Sequence, residues 1–130
     1  MSARDDMRTP LGRALGLGSA KEGVQHWWAQ RVTAVALVPL VLWFVAALIA
    51  HLGAPRAAVF HWLGSPVPAI LMLLFLAAAF HHLALGLQVV IEDYVEPAVA
   101  RIAAIVVMKL IAYGFAVAGA YAVLRIAFGG

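Results

Sequence analysis

The sequence predicts an all-α integral membrane protein of three transmembrane helices, and three observations carry that prediction. Apolar residues make up 65% of the 130 and charged residues only 12%, too few to give a soluble domain a polar surface. Three stretches with at most one charge are each long enough to cross the ~30 Å hydrocarbon layer, and Gly, Pro and charge clusters separate them. The basic residues sit mostly at the ends of those stretches, as topology signals do, and form no stripe suited to nucleic acid.

The length allows one domain. Cysteine is absent, so thiolate zinc sites, disulfides and iron–sulfur ligation by this chain are excluded. A redox centre held here needs His or Met, or belongs to a partner. Residues 1–31 read as a polar tail of mixed charge, including Arg4, Asp5, Asp6, Arg8, Arg13, Lys21 and Glu22. No apolar core follows the first basic residues, and the acidic pair argues against an organellar transit peptide. A short interfacial segment is expected around Leu11–Leu17, where Gly12, Gly16 and Gly18 weaken a helix.

The membrane part is expected over 32–130. The first span runs Val32–Leu52 without a charge, about 30 Å at helical rise, and Pro39 is expected to bend it. A turn with Gly53, Pro55 and Arg56 follows. The uncharged stretch from Ala57 to Ile91 is too long for one straight span, and Gly64, Pro66 and Pro68 place the start of the second helix, at about 67–91. The third span covers about 101–128, with Lys109 expected to snorkel to the nearer interface. Five Lys/Arg precede the first span, while the outer loop holds only Arg56, so the N-terminus is expected in the cytoplasm of a bacterial inner membrane.

The chemistry concentrates in the second span. His82 lies 11 residues before Asp93, about 16 Å deep, where an ionisable side chain is a functional candidate by default. A neutral histidine hydrogen-bonded to a neighbouring helix also meets that depth. At about 100° per residue, Phe75, Ala78, Ala79, His82, Gly86, Val89 and Asp93 share one face. Small residues around a histidine suit a flat ligand such as haem, whose iron accepts an axial imidazole; they also suit close helix packing. His81 points about 100° away and is the weaker candidate. None of His26, His51 and His61 is expected level with His82, so a second axial ligand comes from another chain. Tyr94 can donate a hydrogen bond to a quinone oxygen or simply anchor the interface, and Trp27 and Trp28 read as interface anchors.

The stretch HHLALGLQVVIEDYVEP, residues 81–97, resembles the signature of the small membrane-anchor subunits of succinate dehydrogenases. The matching positions are His82, Gly86, Gln88-Val89, Asp93 and Tyr94, and GSAKEGVQHWWAQRVTAVAL, residues 18–37, is similar to the family's segment before the first span. The resemblance implies respiratory complex II, which joins the tricarboxylic acid cycle to electron transport. Its implied partners are a flavoprotein, an iron–sulfur subunit and a larger cytochrome b anchor, which packs with this chain into a haem-binding bundle. It also implies a shared haem b with His82 as one axial ligand to the iron, Arg31 near the propionates, and a ubiquinone site that includes Tyr94 and Asp93. Gln88 stands one residue earlier than in some members and takes no role from the match. The competing readings are an anchor of a fumarate reductase or another quinone-linked complex, and a structural membrane subunit without haem.

Overall fold

The structure, a computed structural model, describes Pro10 and residues 19–129, with side chains of the first helix described from Gly23 onward. The expected interfacial segment at Leu11–Leu17 lies outside the described residues. Among residues 19–129 four helices follow in order: α1 Ser19–Ala50, α2 Arg56–Leu63, α3 Pro66–Tyr94 and α4 Ala98–Phe128. Three of them, α1, α3 and α4, are long and apolar enough to cross a membrane, in keeping with the predicted class.

The 32 residues of α1 span about 48 Å, well beyond the hydrocarbon layer, so the expected apolar span is the inner part of a longer helix. Pro39 lies inside it without interrupting it. Gly53 at φ 75° turns the chain out of α1, a left-handed conformation that glycine adopts at no steric cost. The short α2 was not expected, although Pro55 and Gly64 stand at its two ends. Pro66 stands in the first turn of α3, where its missing N–H costs nothing. Pro97 precedes α4, and Arg101 Nε donates to the Val95 carbonyl at 3.1 Å, tying down the turn between α3 and α4.

α3 is the middle helix: it packs against both α1 and α4. The pairs run antiparallel. Phe44 stacks on Phe75 at 4.6 Å and Thr33 meets His82 across α1 and α3. Tyr113 meets His81, and a Cβ at Gly119 would stand 3.1 Å from the Leu76 side chain, across α3 and α4. The buried positions among the described residues are Ala69, Ala84, Leu85, Ala112 and Val123, mostly small, while many large apolar side chains face outward. That is the arrangement of helices in lipid, where small residues bring backbones together and bulky ones meet acyl chains or other subunits.

Gly64, between α2 and α3, makes the tightest joint with the end of α4. A Cβ there would lie 3.0 Å from the Phe60 carbonyl oxygen and 3.2 Å from that of Ile126, both backbone atoms that cannot swing aside. Gly64→Ala is expected to cost about 1–3 kcal/mol through this overpacking, read as a lowered midpoint of thermal unfolding in detergent.

Candidate functional site

His82 sits near the middle of α3, 12 residues or about 18 Å from the helix end at Tyr94. Its Nδ1 lies 3.0 Å from the Thr33 hydroxyl oxygen on α1. The same hydroxyl is 2.7 Å from the Ala29 carbonyl oxygen and 3.1 Å from that of Gln30. A carbonyl has no hydrogen to give, so the single Thr33 proton goes to the backbone. His82 Nδ1 therefore carries a proton and donates it to Thr33, and Nε2 keeps its lone pair. Half of the imidazole is thus bonded to a neighbouring helix, and the other half has an acceptor to offer.

His82 forms part of a shallow groove of about 370 Å³, together with Ala34, Leu37, Val38, Val41 and Leu42 of α1. The groove is where the sequence places a flat ligand, but its lining differs from the expected one. The Ala78/Ala79 and Gly86 positions do not line it; a Cβ on Gly86 would lie 3.8 Å from the Gln30 side chain, so this glycine serves packing with α1. The walls come from α1 instead. Arg31 is exposed and its guanidinium lies 5.1 Å from the Trp27 ring centroid. It stands three and seven residues before Ala34 and Val38, on the same strip of α1, at the end of the groove nearest the N-terminal turns.

His81 faces the other way. Its Nδ1 is 2.9 Å from the Tyr113 hydroxyl on α4 and it plays no part in the groove. It lines a polar cleft of about 610 Å³ with His26, Gln88, Glu92, Lys109 and Tyr113. Lys109 thus shares a cleft with polar side chains of α1 and α3, where the sequence reading has it snorkelling to an interface. Gln88 Nε2 donates to Glu92 Oε1 at 2.9 Å along one edge. His26 Nε2 and Gln30 Oε1 are shut from solvent without a hydrogen-bond partner among the described residues. Sequence reasoning did not assemble this cleft. The signal was present as a polar stripe of His81, Gln88 and Glu92, at i, i+7 and i+11, facing Lys109 and Tyr113 at i and i+4.

Asp93 and Tyr94 close α3 three turns from His82, at the end where Arg101 bonds the Val95 carbonyl. Both are exposed, Tyr94 at 84%. They do not join the groove residues, so any quinone contact and any haem contact are separate places on one helix. A more voluminous cleft, about 1040 Å³ with Arg56, His61, Tyr121 and Arg125 in its wall, is at the opposite end of the helices. Volume therefore does not pick out the predicted site. Among the described residues no three His, Cys, Asp or Glu side chains converge as a metal cage, and one axial imidazole needs no such cluster.

Three long apolar helices, joined through small residues and presenting bulky apolar side chains outward, define a helical integral membrane anchor. Within that class the chain belongs to the succinate dehydrogenase/fumarate reductase transmembrane subunit family, which matches residues 5–118. It is 35% identical over 121 residues to the succinate dehydrogenase hydrophobic membrane anchor subunit of Paracoccus denitrificans, covering 93% of each chain. It is also 35% identical over 105 residues to that of Rickettsia bellii (strain RML369-C), covering 81% of this chain and 84% of the other. The succinate dehydrogenase membrane anchor subunit of Reclinomonas americana is 32% identical over 95 residues, 71% of this chain and 79% of its own. No solved structure matches significantly. The resemblance drawn from residues 18–37 and 81–97 is thus borne out for the family, and with it the anchoring role.

Proposed function

We propose that this chain anchors a succinate:quinone oxidoreductase in the bacterial inner membrane and holds one side of a haem b shared with a larger cytochrome b anchor. A flavoprotein and an iron–sulfur subunit complete the assembly, docked on the cytoplasmic face, where the basic residues before the first span place the N-terminus. The observation that carries the reading is the half-used imidazole of His82, with Nδ1 bonded to α1 and Nε2 without a hydrogen-bond partner among the described residues, beside an apolar groove near the middle of α3. A histidine kept only for packing has no need of an open nitrogen there, where an unpaired acceptor is costly.

Haem b, when bound, would supply a one-electron redox centre in the membrane part of the complex. The chain's own residues supply the rest. His82 would hold the iron through Nε2, and Leu37, Val38 and Val41 of α1 would supply apolar contacts to the group. Arg31, at the end of that strip, suits a propionate through a charge-assisted hydrogen bond. Succinate oxidation to fumarate releases two electrons and two protons, and ubiquinone takes up two of each. Tyr94 donates a hydrogen bond to a quinone carbonyl, and Asp93 relays protons from the aqueous side.

Purification through a tag on this chain tests the reading. Four subunits are expected to elute together with about one low-spin b haem per flavin, seen in the reduced-minus-oxidised spectrum. Four subunits without haem would leave anchoring and remove the cofactor role. The tagged chain alone, from membranes that retain succinate–quinone activity, would remove the assembly.

A further inference from the structure

The structure assigns Thr33 a role that nothing in the motif requires: we infer that it is the positioning residue that fixes the tautomer and ring plane of His82 for the iron. The inference rests on His82 being the axial ligand. An imidazole binds iron only through a deprotonated nitrogen, so a ligand histidine must carry its proton on the other one. His82 meets this condition because of one hydroxyl. Thr33 Oγ1 spends its proton on the Ala29 carbonyl at 2.7 Å and on that of Gln30 at 3.1 Å, and is left with lone pairs only. At 3.0 Å from His82 Nδ1 it acts as an acceptor, and an acceptor there demands Nδ1–H.

The acceptor is rigidly mounted. The hydroxyl back-bonds within its own helix, a habit of Thr in apolar helices, so it cannot turn to donate to His82 without giving up that bond. The contact also spans two helices, since the partners are 49 residues apart in sequence, so the packing of α1 on α3 sets the ring orientation. His81 shows the contrast. Its Nδ1 faces the Tyr113 hydroxyl at 2.9 Å, which carries no such back-bond among the described residues and can donate or accept. Of the two adjacent histidines, His82 is the one whose tautomer is set by its neighbour. Donation from Nδ1–H also makes the imidazole a stronger base, which favours ferric iron and lowers the midpoint potential.

The test compares Thr33→Val, which keeps the shape and loses the oxygen, with Thr33→Ser, which keeps the oxygen, in the purified complex. The readouts are haem-to-flavin ratio after extended detergent washing, the low-spin EPR spectrum and the haem midpoint potential. Thr33→Ser should match the unaltered protein in all three. Thr33→Val should hold haem 10–100-fold less tightly, with displaced g values and a potential shifted upward. Should Val prevent assembly, read as loss of membrane-bound succinate–dye activity, Thr33→Ala adds no bulk and is compared with Ser in the same way. Ser and the oxygen-free variant behaving alike, whether both normal or both impaired, overturns the positioning role. That result leaves the parent reading standing if His82→Ala still removes the haem. Haem retained in His82→Ala overturns the parent reading and this one with it.

Discussion

His82→Ala is expected to remove the haem spectrum from the purified complex, lowering haem per flavin by at least about tenfold, while His81→Ala leaves it close to normal. Loss of an outer hydrogen bond to a metal-bound histidine already costs about 10–100-fold in affinity, and loss of the ligand itself costs more. The two histidines are adjacent in sequence yet point to different neighbours. The His82 ring is held by α1 and lines the groove; the His81 ring is held by Tyr113 of α4 and lines the polar cleft. A ring rotated by about 100° around α3 cannot replace its neighbour without breaking the bond to Tyr113. The complex from His82→Ala should also dissociate more readily into its two anchors, because a shared ligand stabilises the bound state of both. A normal low-spin spectrum in His82→Ala, or its loss in His81→Ala alone, reverses the assignment.

Tyr94→Phe is expected to lower succinate–quinone activity by about 10²-fold or more, with succinate oxidation by a soluble dye nearly unchanged. The first figure is the usual scale for a positioned proton donor. The substitution keeps the ring and removes only the hydroxyl, so the exposed side chain at the end of α3 loses chemistry and little packing. A soluble dye takes electrons ahead of the quinone, and that assay reports assembly and the flavoprotein alone. Both activities falling together would make Tyr94 a docking residue for the soluble subunits. Neither falling would make it an interface anchor, in the ordinary manner of tyrosines at membrane edges.

The α3 helix shows how much of this site was legible in advance. Its start at the proline pair and the depth of His82 follow from counting residues between polar ends, because the bilayer sets a length that a one-dimensional sequence must match. The spacing from His82 to Asp93 and Tyr94 is likewise readable, since it lies on one helix at a fixed rise. The groove beside His82 is lined by α1, where the sequence suggests small residues of α3 itself. Ala78, Ala79 and Gly86 share the His82 face, but α1 fills that face and brings its own Leu37, Val38 and Val41 to the ligand side.

By itself, the sequence determined the membrane class, the three spans, the family signature and the pair of histidines at mid-depth. The tertiary structure alone decided which histidine is held by Thr33 and which by Tyr113, gathered Lys109, Glu92 and His26 around one cleft, and folded α2 against α3 and α4. The reason lies in the solvent. A helix in water betrays its buried side by a stripe of apolar residues, but these helices are apolar on every side because lipid surrounds them. Their packing faces are chosen by small-residue fit and by hydrogen bonds between residues 32 and 49 positions apart, which local periodicity does not encode.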